Sequence, residues 1–350
     1  PFESTPAVDI QEGRFERVNI GSWLADSGYS SDLNGTFEAS VQGLKPERLR
    51  ADGRIRLDSS SINRAEVRDA VFDASIDRGR ATVATSLTTA EGTSELALTA
   101  RPFASIPTVT ITTGRIRGLD VGAVAAIEGL NTSLNGSVSG SARGQSLADL
   151  SGNVRVRLRE SSINRAPLDR GTFSVEADSG RAHLRMDADL AGGSLRADGR
   201  LNAYRRVQSP AGEDVPADST TLNLAVEAAA LNLSALAGED SLNASIDSLR
   251  LTFDGAGTSL AELRAETQLS ARDIRAADLR VRDVTVRGLV EDGFLQVDTL
   301  RAQSNAFDAT GGGAIALTAT GNAQSDFRFT GRLRRSEERR VGKECFLLCR

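Results

Sequence analysis

At 350 residues and a net charge of −5, the chain is long enough for two or three ordinary domains, yet only 4% of it is aromatic, and aromatic side chains supply much of the buried area of a large globular core. Arg and Asp are interspersed throughout with no basic patch or stripe, which argues against nucleic acid as a partner. The one histidine is His183 and both cysteines, Cys345 and Cys349, fall at the C-terminal end, so the body offers no thiolate metal site, no Cys nucleophile and no His triad, and no cofactor is expected.

Residues 1–14 read as the edge of a fragment. The chain opens at Pro1 and its only methionine is Met186, so the natural start is expected upstream. A first unit, 15–115, opens with Val18-Asn19-Ile20-Gly21 and a short helical candidate over 21–27, with Asn19 placed to cap it. Leu33-Asn34-Gly35-Thr36 follows, then a weak helical candidate at 45–49. Arg54-Ile55-Arg56-Leu57 and Phe72-Asp73-Ala74-Ser75-Ile76 alternate apolar and polar residues, the mark of strands with one buried face. Asp77-Arg78-Gly79 reads as a tight turn between antiparallel neighbours.

The second unit, 116–220, repeats this order. Leu119-Asp120-Val121-Gly122 opens it, with a helical candidate over 122–128, followed by Leu134-Asn135-Gly136-Ser137 and a weak candidate at 146–150. Alternation returns in Val154-Arg155-Val156-Arg157-Leu158, in Phe173-Ser174-Val175-Glu176-Ala177 and in Leu184-Arg185-Met186, with turns at 178–180 and 191–193. The stretch 205–217, with Pro210, Gly212 and Pro216, reads as an inserted surface loop. The third unit, 228–333, opens with Leu231-Asn232-Leu233-Ser234, a helical candidate over 234–237 and Leu242-Asn243-Ala244-Ser245. Just before it, Leu222-Asn223-Leu224-Ala225-Val226 alternates; within it, Leu279-Arg280-Val281-Arg282 and Phe327-Arg328-Phe329 do so, with turns expected at 254–255 and 291–293, a turn or bulge at 311–313 and a weak helical candidate at 259–263. Residues 336–350 break the pattern and are expected to be a non-native tail.

Three blocks share one offset. Positions 18, 33 and 61 recur at 119, 134 and 162, each 101 residues on, and a longer second step leads to the third unit. Such spacing implies one structural unit of five or six strands stacked repeatedly, with function in the array and not in one pocket. The expected fold is all-β: an elongated antiparallel meander of three repeats forming a curved groove, with short helices at the repeat starts. About 15–18 strands at ~4.8 Å would span roughly 70–85 Å.

The chemical inventory is thin. His183 lies on the polar face of a strand without partners for a triad or metal site. The carboxylates alternate with apolar residues or sit in turns, although a paired-carboxylate glycosidase remains an alternative, as does calcium at 254–257. Gly311-Gly312-Gly313 lacks the Lys-Ser or Lys-Thr of a phosphate loop. No apolar run of about 18 residues is present to span a bilayer as a helix.

What remains is the apolar face. Too few helices are expected to cover so many strands, and a long meander with one uncovered apolar face can curl into a trough for an extended apolar ligand such as an acyl chain. The expected lining is Ile55, Leu57, Phe72, Ile76, Val154, Val156, Leu158, Phe173, Val175, Leu184, Met186, Leu222, Leu224, Val226, Leu279 and Val281. The competing reading makes the same residues the closed, dry core of a structural or adhesive surface repeat protein.

The run Gly118-Leu119-Asp120-Val121-Gly122-Ala123-Val124 resembles the "L-D-L-x-x-L" repeat opening of the AsmA/TamB family of Gram-negative bacteria. Residues 133–144 then resemble that family's "L-x-G-x-[LV]-x-[LG]-x-x-x-G" strand, and 146–154 its "s-l-x-d-l-x-G-x-[LIV]" continuation. The resemblance covers about 15–333. It implies a repeating β-groove and no enzymatic activity. It also implies a periplasmic bridge segment carrying phospholipid between inner and outer membrane, in a parent protein anchored in the inner membrane. An outer-membrane assembly barrel protein is the further partner it implies.

Overall fold

The structure is a computed structural model that describes residues 6–23, 30–43, 45–127, 129–146, 148–202, 206–208, 214–216, 220–237, 243–257, 263–291, 293–317 and 326–333. It is built almost wholly of strands. The first six are β1 (Ala7–Val18), β2 (Ser31–Gln42), β3 (Arg50–Ile62), β4 (Ala65–Asp77), β5 (Arg80–Thr89) and β6 (Thr93–Arg101). Next come β7 (Thr108–Leu119), β8 (Thr132–Arg143), β9 (Ser151–Ile163), β10 (Ala166–Asp178), β11 (Arg181–Leu190) and β12 (Gly193–Asn202). Two short strands follow, β13 (Arg206–Gln208) and β14 (Asp214–Pro216). The last seven are β15 (Thr221–Asn232), β16 (Ala244–Ala256), β17 (Arg264–Ala276), β18 (Leu279–Glu291), β19 (Phe294–Ser304), β20 (Phe307–Ala316) and β21 (Asp326–Leu333). Two helices, α1 (Val121–Val124) and α2 (Leu233–Ala237), and a 3-10 turn at Ile20–Trp23 complete the described elements.

Every strand except β13 and β14 belongs to one 19-stranded sheet, and each pairs antiparallel with its neighbours in the chain. Among the described residues no pairing joins β1 to β21, so the sheet is an open meander. Eighteen inter-strand gaps at ~4.8 Å give a width of about 86 Å. Among the described residues β13 and β14 pair only with each other, so the stretch expected to be an inserted surface loop carries a short antiparallel strand pair.

Local chemistry sets the turns. Arg78-Gly79 and Ser179-Gly180 each have two successive residues at positive φ (45° and 81°, 51° and 77°), the geometry whose twist matches two-residue hairpins. Left-handed positions also recur along the chain. Arg17, Gly118 and Ala230 share this conformation, as do Ser59, Glu160 and Asp273, and Asn63, Asn164 and Ala277. β1 and β7 begin 101 residues apart, at Ala7 and Thr108, and β4 and β10 likewise, at Ala65 and Ala166.

The Asn and Asp residues of the recurring sequence blocks hold these bends. Asp120 caps α1, its Oδ1 accepting the Ala123 N–H at 3.1 Å. Asn34 accepts the Arg17 N–H (2.9 Å) and donates to the Ser59 carbonyl (3.1 Å), while Asn135 accepts the Gly118 N–H (2.9 Å) and donates to the Glu160 carbonyl (2.8 Å). Each carboxamide thus ties two left-handed residues on neighbouring strands, where the ladder is interrupted.

Several local expectations are corrected. Of the helical candidates, 21–27 is a 3-10 turn over Ile20–Trp23, with 24–29 outside the described residues, and 122–128 shortens to Val121–Val124. The weak candidate at 45–49 is a turn, as are the described residues of 146–150, and most of 259–263 lies outside the described residues. Asp254 and Gly255 lie inside β16, which runs on to Ala256, and pair with Glu266 and Ala265. Gly311–Gly313 lie within β20, facing a register shift between Val297 and Leu300 of β19. The tail at 336–350 lies outside the described residues.

Candidate functional site: the apolar face of the sheet

Strand alternation puts every other side chain on one face, and the registers align those faces from strand to strand. One row can be followed across the sheet. From β2 to β6 it runs Phe37, Ile55, Phe72, Thr85, Leu96, each directly opposite the next. Leu96 meets Gly114 of β7, and the open side of Gly114 is filled by Val138 of β8. Val138 then leads through Val156, Phe173, Met186, Ala197 and Val226 to β15. The row ends Leu251, Leu269, Val286, Leu300, Gly311, Phe329. Its one hydroxyl, on Thr85, donates to the Leu96 carbonyl at 3.5 Å.

The residues expected to line a groove fall on this face, in parallel rows. Ile55, Leu57, Phe72 and Ile76 lie on β3 and β4, where Ile55 faces Phe72 and Ile76 faces Ala51. Val154 pairs with Val175, Val156 with Phe173, and Leu158 with Gly171; on β11, Leu184 and Met186 continue the rows. Leu222, Leu224 and Val226 face Leu201, Gly199 and Ala197. Leu279 and Val281 pair with Ala276 and Ile274 beyond the left-handed Asp273, and Ile274 packs against the apolar cluster of β15–β17. Phe37, Leu96, Val138, Leu251, Leu269, Val286 and Leu300 were not singled out by sequence, although alternation runs such as 249–253 and 284–286 carried the signal.

Accessibility along the strands is graded. At the strand ends nearest α1 and α2 the face is packed: Leu57 is 4% exposed and groups with Val67 and Ala70. Two more clusters lie along the same margin, one around Leu168 and Leu190, the other around Leu231 and Ile246, and Leu236 of α2 packs against both. Toward mid-strand the face opens, with Ile55 42%, Phe72 37% and Val154 40% exposed. Among the described residues only α2 is seen to pack on this face; no second sheet faces it.

The opposite face carries the charge. Arg54 meets Asp73, Arg196 meets Asp187 at 3.0 Å, Arg250 meets Glu227 at 3.2 Å, and His183 Nε2 lies 2.8 Å from Asp198 Oδ2. All of these pairs link adjacent strands, and the three Arg–carboxylate pairs are largely solvent-exposed. The Asp77 and Asp273 carboxyls are held below the usual carboxylate range, chiefly by hydrogen bonds from Arg78 and Arg280. In the β8–β9 turn Asp149 is drawn down to about 2 by hydrogen bonds from the Ser146 hydroxyl and the Gln145 and Ser146 amides. Among the described residues no three His, Cys, Asp or Glu side chains group to hold a metal ion, and no helix is long and apolar enough to cross a membrane.

Compared with known protein families, curated protein sequences and solved structures, the chain matches none.

Proposed function

We propose that the sheet is a lipid-bearing groove of the AsmA/TamB kind, a segment of a periplasmic bridge on which phospholipid acyl chains move between the inner and outer membranes. One observation carries the reading: a continuous apolar row from β2 to β21 on a single-layer sheet whose middle, at Ile55, Phe72 and Val154, is open to solvent. An exposed apolar surface of that extent marks a binding surface. Transfer along it requires no nucleophile and no cofactor. It requires many weak, equivalent sites, and each methylene moved from water onto the face contributes about 0.8 kcal/mol. Small and β-branched side chains supply such sites without deep pockets. The charged face keeps the opposite side of the same sheet in water. On this reading the setting is a Gram-negative periplasm, and the partners that the resemblance implies are the inner and outer membranes and an outer-membrane assembly barrel protein.

A second reading, a structural repeat protein with a dry core, draws on the buried clusters around Leu57, Leu168 and Ile246. Native mass spectrometry with lipid extraction, on protein purified from a Gram-negative periplasm, separates the two. Co-purifying phospholipid that falls on Val156→Arg in a folded protein supports the groove. Folded, lipid-free protein gives the structural reading the lead.

A further inference from the structure

Two turns reach over a neighbouring hairpin to grasp a helix. Asn63, between β3 and β4, donates from Nδ2 to the Val124 carbonyl at 2.7 Å, and Asn164, between β9 and β10, donates to the Leu236 carbonyl at 2.7 Å. The partners are 61 and 72 residues away in the chain. Both Asn residues have φ 53°, a backbone state that Asn tolerates better than most side chains. Their Oδ1 atoms are used as well, accepting the Ser30 and Asn131 N–H groups at 2.8 and 3.0 Å. Arg64 adds Nη2 bonds to the Gly122 and Ile127 carbonyls at 2.9 and 2.6 Å, and its own N–H donates to the Ala123 carbonyl.

Between the grasping turn and the grasped helix lie two strands, β5 and β6 in one case, β11 and β12 in the other. On a flat sheet the two ends would be about 14 Å apart, three strand spacings. α2 spans this by folding over the end of the β11–β12 hairpin onto the apolar face, where Ala235 and Leu236 pack against the cluster that holds Leu168, Ala188 and Leu190. Under it those residues are 2–5% exposed, whereas Phe72 and Val154, farther along the strands, stay open.

We propose that α2 is a latch that closes one margin of the apolar face and sets the width of the strip open to an acyl chain, with Asn164 as its positioning residue. The proposal rests on the groove reading. A latched margin confines a sliding chain to the mid-strand rows, and an opened latch adds the rows beneath the helix.

The test uses the full chain with Cys345→Ser and Cys349→Ser, which leaves no other thiol. Ala188→Cys reports the latched margin, and Phe72→Cys reports the open strip. Asn164→Asp keeps the acceptor for Asn131 and puts an acceptor where the donor to Leu236 stood. We expect Asn164→Asp to raise maleimide labelling at 188 by about tenfold, the scale of one lost hydrogen bond, with labelling at 72 unchanged. Phospholipid held per chain should rise in the same variant. Equal labelling at 188, or faster labelling with no gain in phospholipid, overturns the proposal. Should Asn164→Asp fail to fold, Asn164→Gly removes the donor while permitting the same φ. Parent protein that carries no phospholipid overturns the groove reading and the width role with it, while the labelling rates still decide whether the helix latches.

Discussion

Gly114 lies beneath Val138, and a Cβ built on Gly114 would stand 2.3 Å from the Val138 carbonyl oxygen. The contact falls where the β7–β8 register slips between Ile111 and Arg115, and it is how the apolar row crosses the slip. Backbone cannot yield as a flexible side chain does. Gly114→Ala should therefore destabilise the fold by about 2 kcal/mol, within the range for forced overpacking. Urea unfolding measures this, and an unchanged midpoint would show that the two strands separate freely there.

The graded face predicts two kinds of substitution. Val67 is 1% exposed, and Val67→Ala should cost about 1–3 kcal/mol through lost burial and the cavity left behind. Val154, at 40% exposed, loses less on the same truncation, so Val154→Ala should leave the unfolding midpoint closer to that of the parent while lowering bound phospholipid. The reverse ranking of midpoints would mean that mid-strand is packed in solution.

Asn135 joins two left-handed residues by one accepted and one donated bond. Asn135→Ala leaves the Gly118 N–H and the Glu160 carbonyl without that partner, at a cost of about 1–3 kcal/mol. Hydrogen exchange at Gly118 should quicken in step. Asn34→Ala tests the same arrangement at Arg17 and Ser59. Unchanged stability in both variants would show that the bends are held by the ladder alone.

The β8–β9 turn should respond to acid through Asp149. Its folded pKa of about 2 lies below the ordinary aspartate value of 3.8, so the ionised carboxylate stabilises the turn above pH 3.8. That contribution fades as pH falls through about 2, once the carboxyl is protonated in the folded turn as well. A carbon-13 carboxyl titration should place Asp149 near 2, below the ordinary aspartate value of 3.8. In Asp149→Asn the protection of the Gln145 and Ser146 amides, relative to their intrinsic exchange rates, should lose its acid dependence. A midpoint near 4 would remove the turn's hydrogen bonds from the account.

Exposed cross-strand ion pairs should matter little. Replacing Arg250 and Glu227 together should leave the unfolding midpoint near the parent value, since water screens such pairs and ordering two long side chains offsets their attraction. A double-mutant cycle checks this, and a large coupling would mean that the charged face is organised and not merely solvated.

The sequence by itself determined the all-β class, the antiparallel neighbours and the side of each strand that is apolar. Those properties rest on a two-residue side-chain period and on turns such as Arg78-Gly79, all local in the chain. It also marked Asn19, Asn34 and Asn63 as positions that recur, without saying what they hold. Only the tertiary structure decided that Asn34 and Asn135 tie bends on two strands and that Asp254 and Gly255 continue a strand. The same is true of Gly114 making room for Val138, and of Leu57 and Leu168 belonging to a packed margin while Ile55 and Val154 stay open. Each of these depends on the register between strands or on a contact across many residues, as between Asn164 and Leu236. Alternation within one strand carries no information about either.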